Sequence, residues 1–318
     1  MAAVESIATR DAYGEALIEL ARADRNVVAL DCDLGRSTRS YRVAEVDPGR
    51  FVEMGIAEQD MISTAAGLSQ MGKVVFVNSF AVFVTGHAFD QIRQQVALPK
   101  SNVKICGSSA GVTQGRDGAT HQSILDVALM RALPNMAVIV PADGRQTRQA
   151  VRSAYELQGP VYLRLSRFGT GNFLPDDLGF EFGRAQEIRS GEEAVLVGCG
   201  PVLRNVLLAA ELLQRQNDLS AGVVNFHTLK PFDSPALHRL ACQYRHILTV
   251  EEHSILGGLG SAVAESLAES TDPNRRAVLT RIGLHDCFGE SGTAEQLLRK
   301  HGLDAKGIAK SVLQTVAG

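Results

Sequence analysis

"GIAEQDMISTAAGLSQMGKVVFVNSF" (residues 55–80) decides the fold, because it moves from a helix pattern to a strand. The small, apolar run over 57–71 predicts a helix packed closely against another element. "KVVFVN" (73–78) predicts a buried strand. Working outward, the same alternation recurs. "NVVALD" (26–31), "NVKICG" (102–107), "MAVIVP" (136–141) and "PVYLRLS" (160–166) read as buried strands. Helix patterns at about 84–97, 122–131 and 143–157 separate them. Strand alternating with helix implies a mostly parallel sheet covered on both faces, a doubly wound α/β domain.

"FGTGNFLPDDLGF" (168–180), rich in Gly, Pro and Asp, breaks this rhythm and reads as a linker. The rhythm restarts with "EAVLVGCG" (193–200), "AGVVNF" (221–226), "HILTVEE" (246–252) and "AVLTRIG" (277–283). Helices are expected at 202–216, 234–243 and 259–269. The expected organisation is therefore 1–167, a linker over 168–192, and a smaller α/β domain over 193–318. A chain of 318 residues with 45% hydrophobic and 21% charged residues can fill two such cores. Its formal net charge of −3 gives no basic excess for nucleic acid or an anionic membrane surface. No run of about 18 apolar residues points to a membrane span, and the N-terminus lacks a signal-peptide core. The five cysteines form no C-x-x-C pair; those in or beside apolar runs are expected as buried thiols in a reducing, cytoplasmic compartment.

Several residues invite a chemical reading. Glu58 is either a first-turn helix residue favoured by the helix dipole or a buried acid with a task. "SFAVFVTGHAFDQIR" (79–93) gathers Phe80, Phe83, His87 and Phe89, a pattern common in cores. "GVTQGRDGATHQ" (111–122) is a Gly-rich polar loop after a strand, where doubly wound sheets bind ligands; it carries Asp117, Thr120 and His121. No P-loop, G-x-G-x-x-G, H-E-x-x-H or G-x-S-x-G pattern occurs, so no metal ligand set is assigned.

These motifs, with "LPNMAVIVPADG" (133–144), "VYLRLSR" (161–167) and "TVEEHSILGGLGSAVAE" (249–265), resemble the transketolase family in order and spacing, over roughly residues 5 to 315. The resemblance implies a pyrimidine-binding domain of the thiamine diphosphate type followed by a transketolase C-terminal domain. The G-D-G signature of the diphosphate-binding domain is not matched; "RDG" (116–118) and "ADG" (142–144) come nearest. The chain is thus expected to be the C-terminal-half subunit of a split transketolase. A separate N-terminal-half subunit would hold the diphosphate and Mg²⁺, and two of each would form a heterotetramer.

The resemblance also implies roles. Glu58, in the "AEQ" motif, would lie against the aminopyrimidine ring and share a proton with a ring nitrogen, so activating the cofactor. Phe83 would stack on the pyrimidine, with Phe80 in the same wall; Ile56 and Asp33 would line the cofactor. His121 would contact the donor's first hydroxyls and assist proton transfer, and Asp117 would read the second hydroxyl. Arg167, Arg10 and Ser37 would hold the substrate phosphate. Ser109 and His87 are departures at substrate-facing positions, where relatives tend to carry His and Arg; Arg116 and Ala119 are also unusual. The implied activity is transfer of a two-carbon ketol unit from a ketose or its phosphate to an aldose. Three alternatives compete: the beta-type subunit of a 2-oxo-acid dehydrogenase, a deoxyxylulose-phosphate-synthase-like enzyme, and a non-catalytic assembly partner. "DGATHQ" differs from the "GGPLHSQ" of the first. Keeping Glu58, Phe83, Asp117 and His121 together argues against the last.

Overall fold

The computed structural model describes residues 7–317. Residues 1–6 and 318, at the outer ends of the two expected domains, lie outside the described residues. Twelve strands form two sheets among the described residues. They are β1 (Val27–Asp31), β2 (Phe51–Glu53), β3 (Val74–Phe80), β4 (Val103–Ser108), β5 (Ala137–Ile139), β6 (Val161–Arg164), β7 (Gln186–Arg189), β8 (Ala194–Gly198), β9 (Ala221–Asn225), β10 (Thr228–Lys230), β11 (His246–Ser254) and β12 (Val278–Leu284). The first sheet has the order β10-β5-β6-β4-β3-β1-β2 and the second β12-β11-β8-β9-β7. All pairings are parallel except β10 with β5 and β7 with β9.

Two strands depart from the expected layout. β7 falls inside the stretch expected as linker and closes the edge of the second sheet. β10 comes from the second half of the chain yet pairs with β5 of the first sheet. Each is only three or four residues long, too short to show a period. The Gly/Pro-rich segment between the sheets is tied to the start of the helix Gly144–Glu156, where Arg145 donates to Leu174 O at 3.2 Å. Asp143 caps the helix Gly144–Glu156 through Oδ1 and accepts Phe173 and Leu174 N–H through Oδ2.

The helix Glu58–Gln70 shows how pattern becomes packing. It buries Glu58, Met61, Ile62, Ala65 and Ala66, one stripe at i, i+3, i+4, i+7, i+8. Met61 and Ile62 are completely buried, and such side chains stabilise by about 1.5–3 kcal/mol each. They share a core with Val75 and Val77 of β3 and with Ile92 and Val96. The expected helix 84–97 is present but irregular: wide π-type turns at Phe83–His87 and Ile92–Ala97 flank a short α-turn. The expected helix at 122–131 begins later, as Asp126–Ala132. Helices missing from the sequence reading include Thr9–Ala23, Ala294–Lys300 and Ala305–Ala317. Cys32, Cys106 and Cys199 are buried, Cys242 is half-buried and Cys287 exposed; all five are free thiols.

Candidate active site

The loops that follow β1, β3, β4 and β6 leave one end of the first sheet, where parallel strands finish together. Asp33 and Ser37 follow β1, and Glu58 opens the helix after β2. Phe80 ends β3, the loop 109–123 follows β4, and Arg167 follows β6. The sheet therefore gathers residues spread over more than a hundred positions.

Two groups of side chains form. The first surrounds Glu58, which is 3% exposed. Ser79 Oγ donates to Glu58 Oε1 at 3.4 Å, and His87 Nδ1 stands 3.6 Å from Oε2. Both contacts are long, so a buried carboxylate lacks a strong donor. Phe80 and Phe83 stack with ring centroids 6.0 Å apart and planes 17° from parallel. His121 meets Phe83 edge-on at 5.3 Å, and Thr120 Oγ1 lies 3.0 Å from its Nδ1. Cys32 lies near the same acid. Burial first, then the Glu58 and Asp31 charges, push its thiol up to about 12, so it stays protonated and inert.

The second group is cationic. Arg167 donates from Nη1 to Asp117 Oδ2 at 3.1 Å, and Gln114 Nε2 donates to the same oxygen at 2.7 Å. Arg10 Nη1 donates to Ser37 Oγ at 3.1 Å, while its buried Nε has no partner. Burial pulls the Arg10 guanidinium below its ordinary value; the charges of Arg39 and Arg167 act the same way, against Asp11. Arg39 is paired with Asp11 at 2.6 Å and Arg167 with Asp117. That leaves Arg10, without a carboxylate of its own within ion-pair distance among the described residues, as the cation best able to receive an anion.

The remaining expected residues are placed differently. Ile56 is 80% exposed, just ahead of Glu58. Asp33 adopts φ +59°; its N–H donates to Glu53 Oε1 at 2.7 Å, at a cleft of about 440 Å³ shared with Ser37, Tyr41 and Phe51. Ser109, also at positive φ, is fully buried and its Oγ has no partner. His87, expected at the substrate, has its side chain beside Glu58 and largely exposed. Sequence reasoning missed Ser79, Gln114 and Asp31. Asp31 was detectable as a carboxylate ending an apolar strand; Ser79 and Gln114 carry no signal apart from the fold.

The comparisons with known proteins agree over most of the chain. The transketolase pyrimidine-binding domain matches residues 5–170, and the transketolase C-terminal domain matches residues 183–308. The chain belongs to the transketolase family. It is 43% identical over 307 residues to a putative transketolase C-terminal section of Methanocaldococcus jannaschii, covering 96% of this chain and 95% of that one. It is 40% identical over 302 residues to a 6-deoxy-6-sulfo-D-fructose transketolase subunit of Clostridium sp., covering 95% and 92%. A solved split-gene transketolase, described as an inactive beta4 tetramer, superposes with a TM-score of 0.89 at 44% identity, covering 98% of this chain and 99% of that one.

Transketolase membership implies thiamine diphosphate. The first group fits one end of that cofactor. A flat heteroaromatic ring with N–H and N sites suits a buried carboxylate that lacks a good partner beside an aromatic wall. Among the described residues no group of three or more His, Cys, Asp or Glu could hold a metal ion, and no helix is long and apolar enough to cross a membrane.

Proposed function

We propose that this chain is the C-terminal-half subunit of a two-chain, thiamine-diphosphate-dependent transketolase. It would transfer a two-carbon ketol unit from a ketose or ketose phosphate to an aldose. The observation that carries this reading is Glu58: buried, poorly partnered, and next to the Phe80–Phe83 wall. When bound, thiamine diphosphate supplies the electron sink that makes carbon–carbon cleavage feasible. Glu58 holds a proton against the pyrimidine ring, and burial keeps water from competing for its carboxyl oxygens. Phe83 offers its face to the ring and Phe80 backs it. Ile56 and Asp33 complete the cofactor side.

His121 contacts the donor's first hydroxyls, with Thr120 fixing its ring. Asp117, held by Gln114 and Arg167, reads the next hydroxyl. Arg10, Ser37 and Arg167 receive the anionic tail. A guanidinium can donate to the oxygens of either a phosphate or a sulfonate tail, and the Clostridium relative is named for a sulfo-sugar. His87 serves the acid rather than the substrate.

The N-terminal-half partner holds the diphosphate and Mg²⁺, and the complex is a heterotetramer working in the cytoplasm on carbohydrate. The similar split-gene transketolase, inactive as a beta4 tetramer, supports dependence on another half. Five free thiols are in keeping with a reducing compartment. The test is reconstitution with the N-terminal-half partner, thiamine diphosphate and Mg²⁺, assayed with phosphorylated, sulfonated and neutral ketose donors. Ketol transfer is expected only in the mixture, and Arg167→Ala should raise KM about tenfold more for anionic donors than for neutral ones, which feel only the loosened Asp117. Turnover by this chain alone would sink the two-chain reading. Equal KM changes for all donors would sink the role given to Arg167.

A further inference from the structure

The substrate loop 109–123 is held from the second domain. Glu252, on β11, is 5% exposed. Its Oε1 accepts the Thr113 N–H at 2.6 Å, across 139 residues of sequence. Gly111 passes so close that a Cβ there would lie 2.2 Å from the same oxygen, at a backbone φ of +81°. Only glycine fits this approach. Further along the loop, Gln122 Nε2 donates to Glu290 O at 2.9 Å. A Cβ on Gly118 would lie 2.8 Å from Ser291 Oγ. Arg164 joins the two domains from below. Its guanidinium donates to Ser123 O, to Glu252 O at 2.9 Å and to the Asp126 carboxylate.

Glu252 is a poor choice for a mere brace. Burying a carboxylate is unfavourable unless it is paired, and Arg164 commits its close ion pair to Asp126. An apolar residue of similar volume would fill the space without that penalty. What only an acceptor provides is a fixed position for the Thr113 N–H. Thr113 is the second residue of the turn Val112–Asp117, which ends at the aspartate facing Arg167.

We propose that Glu252 is a positioning residue for ketol transfer: the second domain reaches across to set the loop that presents Asp117 to the donor sugar. This rests on the donor-reading role proposed for Asp117. It gives the second domain a part in substrate recognition through the loop it holds.

The experiment is a double-mutant cycle on the reconstituted complex. Glu252→Gln keeps an oxygen acceptor, whereas Glu252→Met keeps the volume and loses the acceptor. The Gln variant should hold kcat/KM within about threefold, and the Met variant should lower it about tenfold. In an Asp117→Ala background the Met substitution should cost less than about threefold, because the residue it positions is already gone. Amide exchange at Thr113 should quicken in the Met variant only. Additive losses would overturn the inference, as would equal losses for Gln and Met, or a Met variant that no longer assembles while Gln does. An Asp117→Ala variant within about twofold of wild type would overturn the reading of Asp117 itself, and with it this inference.

Discussion

Asp31 lies completely buried at the end of β1, two residues before Asp33 and six before Ser37. It accepts the Leu34 N–H and the Thr38 and Ser40 hydroxyls, each at 2.7 Å, and so shapes the turn that carries both site residues. Burial nevertheless pushes its carboxyl up to about 6, against those three donors. The sign of the pH effect follows. The folded chain binds this proton more tightly than the unfolded chain, whose aspartate titrates near 3.9. Its contribution to stability is therefore greatest below about pH 4 and is lost as pH rises through about 6. At neutral pH the ionised, buried group costs on the order of 3 kcal/mol. Asp31→Asn can keep the Leu34 bond through its oxygen and turn its amide toward the two hydroxyls. It should raise stability at pH 7.5 and leave it unchanged at pH 4, as chemical denaturation at both values would read. A lower stability at pH 7.5 would show that the turn needs the anion.

At the level of elements, two glycines in helical segments need explaining. Gly67 in Glu58–Gln70 and Gly86 in Phe83–His87 are exposed, and a Cβ on either would meet nothing within 4 Å. Glycine in a helix interior costs about 1 kcal/mol relative to alanine, with no internal crowding here to justify it. Close approach of another chain would justify it, and the heterotetramer proposed above supplies one. Gly67→Leu should leave the isolated chain as stable as before or more so, yet weaken binding of the partner half by at least about tenfold, measured by sedimentation. Unchanged association would move the interface elsewhere. These segments also show what the sequence made legible. The stripe Met61, Ile62, Ala65, Ala66 predicted its helix within a residue or two, because one periodic face is buried. The π-type turns at 83–97 were not legible, since the apolar pattern there reads equally well as a regular helix. β7 and β10 were hidden for another reason: short edge strands are defined by their partners in the sheet, not by their own residues.

For the whole molecule, the sheet order converts distant motifs into one end of a domain. The family motifs drew attention to Glu58, Phe83, Asp117, His121 and Arg167 individually. Their division into an acid-and-aromatic group and a cationic group became visible only once β1, β3, β4 and β6 were laid side by side. The part played by Glu252 lay further from view, because 139 residues separate it from the Thr113 it holds. The central claim concerns Glu58, and the most direct measurement compares wild type with Glu58→Gln in the complex assembled with the partner half, thiamine diphosphate and Mg²⁺. Glutamine preserves the shape and cannot carry the proton. Ketol transfer should fall by about a hundredfold or more while the complex still assembles. A Glu58→Gln complex that assembles and turns over within about twofold of wild type would contradict the account.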